Sequence, residues 1–400
     1  MTQPFLQDVR VLDFSWAAAG PYATLLLGFM GADILKVESR QRPDLSRRGF
    51  YQSAPLDASS EFNDLNLNKR SVALNLTTPE AIDIVKGLVA HCDVVVENFR
   101  PGVMQRLGLG YATLQTINSG LIMVSSSSNG SVGPESAYAG YAGMFNALSG
   151  AGHLTGYADG PPTEMRISMD LRVGQTVCFA VLAALYEKRG SGLGQHIDLS
   201  AREAISCLTG HAAMHYVFNR ESPQRQGNAD ERLAPHGCYR CQGHDRWVTI
   251  AVGSEAEWRA LCDAMGDPEW GEEARFADAA RRVEHREALD GLIETWTQHY
   301  TPEEVTTRLQ SVGVAAYPTM DTEMIAASDH LRHRGAFVTV QHPNLGEQTV
   351  LGPPWRSPAI ESESDRPGPL LGEHTAEVLR DLLGFTAEEI QRLMESGVLA

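Results

Sequence analysis

The chain has 400 residues, 43% of them hydrophobic and 21% charged, and its 33 Lys and Arg residues against 50 Asp and Glu residues give a formal net charge of −17. This length predicts about two or three domains, or one large domain with an insertion, and the composition is that of a globular protein with a large core. The negative charge argues against nucleic acid or an anionic membrane surface as a partner, although a local cluster of Arg and Lys can still bind a small anion.

Neither the N-terminus nor any apolar run predicts export or membrane insertion. Met1–Pro4 lacks the basic-then-apolar pattern of a signal peptide. The most apolar windows, Ala23–Met30 and Cys178–Tyr186, are shorter than the roughly 20 residues that span a bilayer. The 6 cysteines are few for this length, and most fall in patterns typical of buried elements, so we expect free thiols. The sequence therefore predicts a cytoplasmic protein without a membrane partner.

Strand and helix patterns alternate over the first half of the chain. The apolar run Val9–Phe14 predicts a strand, and the small-residue turn Ala17–Gly20 leads into a helix with Pro21 in its first turn. The same patterns predict strands at Asp33–Val37, Ser71–Leu76, Asp93–Asn98, Leu121–Ser125 and His196–Leu199, and helices at Ala81–Cys92, Gly174–Lys188 and Ala201–Phe218. Short, unbroken runs of Val and Ile indicate parallel strands buried on both faces. The predicted fold class is α/β, with a large doubly wound, Rossmann-like domain.

The pattern changes after about residue 225. The elements predicted there are a hairpin at Gly237–Val252, helices that start at Ser254, within Arg281–His299 and at Thr301, a strand at Ala336–Gln341 and two last helices, the second capped by Thr386. We predict that residues 1–224 form the first part of the large α/β domain, residues 225–330 a smaller α+β domain, and residues 331–400 the return to the large domain.

Asp170 is the sharpest candidate for a catalytic residue. It stands where the loop that contains Gly160–Pro162 passes into the apolar helix that includes Gly174. An Asp in that place most often caps the helix through its side chain. Alternatively, its carboxylate is a nucleophile, because the partial positive charge of a helix N-terminus keeps it in the ionised form that attacks a carbonyl carbon. The residues alone leave both interpretations open.

Basic residues form a second group of candidates. They fall in or beside the loops that follow the predicted strands: Lys36, Arg40, Arg47, Arg48, Lys69, Arg70, Arg100 and Arg106. Ligands of open α/β sheets bind at the carboxyl ends of the strands, so these cations could converge on one anionic ligand. The alternative is a scatter of solvated charges. Gly20-Pro21 lacks the glycine spacing of a dinucleotide site, which disfavours a nicotinamide cofactor.

A metal site is not predicted. Cys238 and Cys241 form a C-x-x-C pair flanked by His236 and His244, which is half of a typical zinc site. A second thiol pair is missing, however, and the segment has the pattern of a hairpin. The pair His211 and His215 lies at helical spacing on an apolar helix, where core or interface packing is the more common role.

Taken together, the motifs of the chain resemble those of the class III CoA-transferases, the CaiB/BaiF family of formyl-CoA transferase and carnitine CoA-transferase. They follow the family's order along nearly the whole chain: Val11–Phe14 with Ala19–Pro21, Gly31–Asp33, Lys36–Glu38, Asn68–Ser71, Val96–Gly102, Gly150, Thr155–Gly156, Gly160–Pro162, Asp170 with Gly174, Leu182–Leu185, Arg189, Gly192–Gln195 and Leu370–Thr375.

The resemblance implies an enzyme that moves coenzyme A from an acyl-CoA donor, with succinyl-CoA as a candidate, to an acceptor carboxylic acid. The family's nucleophile matches Asp170, which would form first an aspartyl mixed anhydride and then an aspartyl-CoA thioester. Coenzyme A is then a substrate, and neither a permanent cofactor nor a metal is implied. The resemblance also implies a homodimer in which two ring-shaped chains are interlocked.

Site residues follow from the resemblance position by position. The coenzyme A site would be lined by Ala18, Arg40, Lys69, Asn98, Phe99 and Arg106, and the substrate pocket by Trp16, Ala17 and Tyr141, with Phe50 and Tyr51 as further candidate liners. Formyl-CoA transferase has a glutamine where this chain has Ala18, so we expect an acceptor bulkier than oxalate, of medium size or aromatic. The glycine tract that covers the active site of formyl-CoA transferase has no counterpart near Asn228–Pro235.

Two alternatives remain at the level of sequence. An α-methylacyl-CoA racemase needs acid and base groups on two faces of the substrate, but the histidine of its Gly-His-Asp stretch is absent from the matching Gly140–Ala142. A coenzyme A-binding subunit of a heteromeric transferase is the second alternative, and the presence of Asp170 argues against it.

Overall fold

The computed structural model describes residues 4–49, 55–165, 168–266, 271–356 and 366–400. The chain divides into two compact units, the first made of Met1–Gly152, Glu164–Ser222 and Leu331–Ala400, and the second of His153–Thr163 and Pro223–His330. The predicted boundaries differ in one place, because they put residues 153–163 in the large domain. That segment joins the second unit because Gly227 donates a backbone hydrogen bond to Gly156 and Arg225 donates to the carbonyls of His153 and Gly160.

The first unit is built on a six-stranded parallel sheet. Its strands are β1 (Arg10–Asp13), β2 (Asp33–Glu38), β3 (Lys69–Ala73), β4 (Val94–Glu97), β5 (Ile122–Ser127) and β6 (His196–Ser200). Their spatial order is β3-β2-β1-β4-β5-β6, so the direction of winding reverses between β1 and β4. This confirms the predicted doubly wound α/β fold.

Helices cover both faces of this sheet. In chain order they are α1 (Ala19–Phe29), α2 (Ser60–Leu65), α3 (Pro79–Val89), α4 (Val103–Arg106), α5 (Tyr111–Ile117), α6 (Ala142–Leu148), α7 (Ala151–Leu154), α8 (Ser168–Ser191), α9 (Ala201–Ser206) and α10 (Gly210–Asn219). Strand residues alternate between two apolar cores: Val11 and Val94 pack with α1 and α8, whereas Leu12 and Val95 pack with α3 and the C-terminal helices described below.

The second unit carries a three-stranded antiparallel sheet with a layer of helices. It contains β7 (His236–Arg240), β8 (Trp247–Ala251), α11 (Glu255–Met265), α12 (Ala279–Glu284), α13 (Arg286–Thr297), α14 (Pro302–Ser311), β9 (Ala315–Pro318) and α15 (Thr322–Ala327). The predicted hairpin is β7–β8, and the predicted start signals at Ser254 and Thr301 cap α11 and α14. The segment predicted as one helix at Arg281–His299 is divided between α12 and α13.

The last part of the chain differs most from the sequence prediction. It contains α16 (Asp329–His333), β10 (Phe337–His342), β11 (Gly346–Leu351), α17 (Thr375–Leu383) and α18 (Ala387–Glu395). The predicted strand at Ala336–Gln341 pairs only with β11, in a two-stranded sheet of its own. The two closing helices are α17 and α18, and Thr386 forms a capping box at the start of α18.

Helix α8 is longer than the apolar window on which the prediction was based. It is long and apolar enough, by length and composition, to cross a membrane, whereas the sequence predicted no such segment. However, seven of its residues are buried, among them Val173, Val177 and Val181, which pack in the core beside α1. We therefore interpret α8 as a core helix of the first unit.

Candidate active site

The carboxyl ends of β1 and β4 define a crevice at the point where the strand order reverses. In open α/β sheets this switch point is where ligands bind. The chain leaves β1 through Ser15 and Trp16 and leaves β4 through Asn98. The Asn98 side chain joins the two exits, because its Oδ1 accepts from the Trp16 N–H at 2.8 Å and its Nδ2 donates to the Trp16 carbonyl at 2.8 Å.

Helix α8 brings Asp170 to this crevice. An ideal Cβ on Gly174 would lie 2.5 Å from the carbonyl oxygen of Ala19, so α8 approaches the first turn of α1 too closely for any larger residue. Residues four apart lie on the same face of a helix. Asp170 therefore lies on the face of α8 that packs against α1, one turn nearer to the Ala17-Ala18 turn than Gly174.

The Asp170 carboxylate is poorly solvated. Burial raises its pKa to about 6, and it makes no hydrogen bond to a residue that the structure describes. A helix N-terminus alone would lower the pKa of Asp170, so the observed shift is in the opposite direction. With a pKa of about 6, the carboxylate is still mostly ionised at neutral pH. It also lies within the first turn of α8 and not ahead of it, and it caps no N–H among the described residues. The described residues therefore give no support to the interpretation of Asp170 as a structural cap.

An aromatic platform adjoins the Asn98 contact. Trp16 and Phe99 meet edge to face with ring centroids 5.9 Å apart, and the guanidinium of Arg42 lies 5.4 Å from the centroid of the Trp16 ring. The buried carboxylate of Glu97 accepts from the Phe99 N–H at 2.8 Å, and burial raises the pKa of Glu97 to about 7. Arg42 was not among the predicted site residues, although it stands only two residues after the candidate Arg40.

Two predicted phosphate contacts, Arg40 and Arg106, are exposed. Arg40 follows β2 and donates to the carbonyl of Leu371 at 3.1 Å, and Arg106 is exposed at the end of α4. Ala18 is buried at the start of α1 and is an N-cap without a side-chain hydrogen bond. Tyr141 is 67% exposed just before α6, a helix that packs against α8. Phe50 and Tyr51 lie outside the described residues.

Lys69 is not available to a ligand in this structure, contrary to the prediction. Its ammonium is fully buried and donates to protein acceptors only: Asp13, Pro21, Thr24 and Asn66. The predicted strand began at Ser71, but β3 begins at Lys69, at the end of the sheet opposite to the crevice. Burial lowers the pKa of Lys69 to about 8.

Of the two alternatives for the basic residues, convergence on one anion does not hold for Lys36, Arg47 and Arg70. Lys36 pairs with Asp44 at 3.0 Å, Arg47 pairs with Glu38 at 2.7 Å, and the half-buried Arg70 pairs with Asp33 at 2.5 Å. These cations balance carboxylates of the protein itself. Arg40, Arg48, Arg100 and Arg106 remain on the surface.

The C-x-x-C segment has no metal-site geometry. Cys241 is buried, and the Cys238 thiol lies 3.6 Å from the Thr319 hydroxyl. Among the described residues, no group of three or more His, Cys, Asp or Glu side chains could hold a metal ion. All six cysteines are free.

Comparison with known proteins gives consistent matches. The chain matches the sequence model of CoA-transferase family III over residues 6–375. It is 33% identical over 398 residues to the succinyl-CoA–D-citramalate CoA-transferase of Chloroflexus aurantiacus, with 98% of each chain covered. It is 31% identical to the succinyl-CoA:glutarate CoA-transferase of Mus musculus, with 98% of this chain and 90% of the relative covered. The crystal structure of a CaiB/BaiF family protein from Brucella suis is similar with a TM-score of 0.88 and 30% identity, over 96% of this chain and 100% of that one.

Proposed function

The chain belongs to CoA-transferase family III and is an acyl-CoA:carboxylate CoA-transferase, and from this premise we propose that Asp170 is the nucleophile of the transfer. The observation that carries this proposal is the close packing of Gly174 on Ala19, because it fixes the helix of Asp170 at the sheet's switch point. A half-buried carboxylate with a raised pKa supports the same role.

In the first half of the proposed reaction, a carboxylate oxygen of Asp170 attacks the thioester carbon of the donor. The C–S bond breaks, coenzyme A leaves as a thiolate, and a mixed anhydride forms. The thiolate then attacks the aspartyl carbonyl carbon, and the donor acid leaves with one oxygen that came from Asp170. The product on the enzyme is an aspartyl-CoA thioester.

The second half repeats these steps in reverse with the acceptor. An acceptor carboxylate oxygen attacks the aspartyl carbon and expels the thiolate, which gives a second anhydride. The thiolate then attacks the acceptor acyl carbon, so the new thioester leaves and Asp170 keeps one oxygen from the acceptor. No net proton transfer is needed. Water must be excluded, because it would hydrolyse either anhydride.

The start of α1 is suited to the negative charge that develops on the attacked carbonyl oxygen. Ala18 supplies no side-chain cap, so the first N–H groups of the helix are left to other acceptors at its positive end. Donors that are fixed before the reaction stabilise such an oxyanion strongly.

For substrate binding, we propose that coenzyme A is held beside Ala18 and Phe99, with Arg40 and Arg106 at its phosphates. Trp16, Ala17 and Tyr141 would line the acyl and acceptor pocket. The small side chains of Ala17 and Ala18 leave room for an acid larger than oxalate. Succinyl-CoA is the proposed donor, because the names of two relatives specify it.

We also propose an interlocked homodimer in the cytoplasm. Helix α8 exposes Phe179 by 72% and Tyr186 by 80%, and Phe218 at the end of α10 is 73% exposed. Strongly exposed large apolar side chains on a folded chain are typical of a surface that a partner covers. A second copy of the chain would cover them.

The proposal is tested by incubating the enzyme with succinyl-CoA and quenching with hydroxylamine, which captures activated aspartyl groups as a hydroxamate. We expect a modified Asp170 in the wild type and none in Asp170→Ala. Acceptor acids are then tested as a panel, with new thioesters detected by mass spectrometry. Entry of solvent deuterium at the α-carbon without exchange of coenzyme A would instead indicate a racemase, and activity only after a related chain is added would indicate a heteromer.

A further inference from the structure

We propose that Asp13, Lys36, Asp44 and Asn98 form a positioning clamp that fixes the backbone of Ser15–Ala17 in the geometry that the transfer needs. The inference rests on the proposed function, because it concerns the turn that leads into α1, against which the helix of Asp170 packs. It assigns Asn98 a role different from contact with coenzyme A.

The clamp occupies five consecutive backbone groups of the turn, beginning with Ser15. Asp13 Oδ1 accepts from the Ser15 N–H at 2.9 Å, and Lys36 Nζ donates to the Ser15 carbonyl at 2.8 Å. Asp13 and Lys36 are both fully buried, on neighbouring strands β1 and β2.

The next three backbone groups are held from two other directions. Asn98, at the end of β4, accepts from the Trp16 N–H and donates to the Trp16 carbonyl, both at 2.8 Å. Asp44 Oδ1 accepts from the Ala17 N–H at 3.0 Å. Asp44 is itself buried and fixed by the Ser46 N–H and by Lys36. Side chains from β1, from β2, from the loop after β2 and from the end of β4 thus converge on three residues.

The conformation that the clamp holds is one that the turn does not favour by itself. Ala17 has φ of +63°, in the left-handed region, which is sterically unfavourable for a residue with a Cβ. Such a residue keeps this conformation only where its surroundings impose it. The hydrogen bonds on either side of Ala17 supply that constraint.

The charges in the clamp are costly to bury, which argues for a geometric role. Burial alone would lower the pKa of Lys36, but the carboxylates of Asp44 and Asp13 raise it overall, so the ammonium stays charged. Lys69 pairs with Asp13 at 3.2 Å and brings the buried group to two carboxylates and two ammonium groups. Apolar residues of similar size would often stabilise a fold equally well. Unlike apolar residues, charged side chains form directional hydrogen bonds that fix the position of each backbone N–H and carbonyl group.

The turn lies where small displacements matter for catalysis. Ala18 and Ala19 follow it directly and begin α1, against which the Asp170 helix packs through Gly174. Misplacement of reacting groups by about 1 Å can lower a rate about a hundredfold. Removal of a clamp hydrogen bond should therefore reduce turnover. The same change should leave Arg40 and Arg106 in place.

The test compares Asn98→Ala with Asn118→Ala in the full-length enzyme. Asn118 is a matched control, because its half-buried amide also donates to backbone carbonyls, those of Val89 and Cys92, and accepts from the Gly120 N–H. The measurements are kcat for transfer from succinyl-CoA, the Kd of free coenzyme A by calorimetry, and Tm. We expect Asn98→Ala to lower kcat about a hundredfold with Kd changed less than threefold, and Asn118→Ala to lower Tm with kcat unchanged.

Other results would overturn the clamp. If Asn98→Ala weakens the Kd of free coenzyme A tenfold or more and leaves kcat intact, Asn98 is a ligand contact. If the two variants lose kcat equally, the bonds are only structural. Should Asn98→Ala fail to fold, Asn98→Asp keeps the acceptor for Trp16 N–H and loses the donor, and the same criteria apply to it. A wild-type enzyme that exchanges no thioester with any donor would refute the proposed function instead.

Discussion

At the scale of single residues, the central feature is that the carboxylate of Asp170 is charged and poorly solvated. Burial raises its pKa to about 6, and no described residue offsets that burial with a hydrogen bond. A carboxylate that is weakly solvated is a stronger nucleophile than one in water, and the same desolvation costs the folded state free energy. Reactivity and stability therefore move in opposite directions at this residue.

The pH dependence of the rate follows from this pKa. We expect kcat/KM to fall about tenfold per pH unit as the pH drops below about 6, because protonation removes the nucleophilic carboxylate. The measurement is a pH–rate profile with succinyl-CoA, with intrinsic fluorescence at each pH to establish that the enzyme stays folded. A rate that is constant through pH 6 while the fold is intact would contradict the assignment.

The stability of Asp170→Asn provides a second prediction. Above pH 6 the ionised Asp170 destabilises the fold, and the free energy of unfolding falls as the pH rises from about 4 to 6, because the native state binds the proton more tightly than the unfolded chain does. The amide removes this cost, so we expect Asp170→Asn to be more stable by about 1–3 kcal/mol at pH 7.5. The gain should disappear below about pH 4.

The control for this comparison is Asp159→Asn, the same chemical change on an exposed loop. We expect it to alter the free energy of unfolding, measured with urea, by less than about 0.5 kcal/mol. Equal gains from the two substitutions would mean that loss of negative charge in general, and not burial of Asp170, stabilises the protein.

At the scale of elements, the packing of α8 on α1 holds the site together. For the substitution Gly174→Ala, the packing of α8 on α1 and local helix propensity predict opposite changes in stability. Alanine is a better helix former than glycine by about 1 kcal/mol, but a Cβ at this position would lie 2.5 Å from a backbone oxygen. We expect Gly174→Ala to lower both Tm and kcat, because α8 must move away from α1 and take Asp170 with it.

Gly190→Ala is the matched control on the same helix, since a Cβ there would meet nothing within 4 Å. It should raise Tm slightly and leave kcat unchanged. If both substitutions stabilise the enzyme and neither lowers kcat, the close approach of α8 to α1 is not what positions Asp170.

The elements that sequence patterns predicted well are those with a strong local cause. The strands are runs of Val, Ile and Leu, and helices such as α14 and α18 begin with capping boxes that can be read from four residues. The apolar pattern that predicted α8 begins at Gly174, whereas the helix spans Ser168–Ser191. The close contact of Gly174 with α1 depends on the tertiary fold, and no local pattern reveals it.

The site was predictable in part for the same reason. Asp170, Asn98 and Trp16 belong to motifs, and the parallel sheet brings the exits of β1 and β4 together. The burial of Lys69 was not predictable, because it depends on Asp13, 56 residues away in sequence, and on β3 starting two residues early. Asp44 was not predicted, because the sequence shows it only as a polar residue in the loop after a strand.

At the scale of the whole molecule, the exposed aromatic side chains Phe179 and Tyr186 of α8 predict self-association. Phe179 is 72% exposed in the single chain, so Phe179→Glu should leave an isolated chain folded. If a second copy covers these side chains, a buried unpaired charge costs several kcal/mol. We expect the variant to shift from dimer to monomer in sedimentation velocity experiments and to lose activity.

Met394→Glu is the control, because Met394 is 45% exposed on α18, a helix that covers the opposite face of the sheet from α8. It should remain dimeric and active. A wild-type enzyme that sediments as an active monomer would refute the proposed interface. That result would not affect the assignment of residues 153–163 to the second unit, which no sequence pattern revealed.

The most direct test of the mechanism follows one oxygen atom. With succinyl-CoA and an acceptor acid whose carboxylate carries heavy oxygen, a single turnover should leave one heavy oxygen in the Asp170 side chain, found by mass spectrometry of the peptide that contains it. Later turnovers should pass that oxygen into the released succinate. Heavy oxygen in succinate with none in Asp170 at any turnover would mean that the two acids exchange oxygen directly, and that the carboxylate at the switch point takes no covalent part.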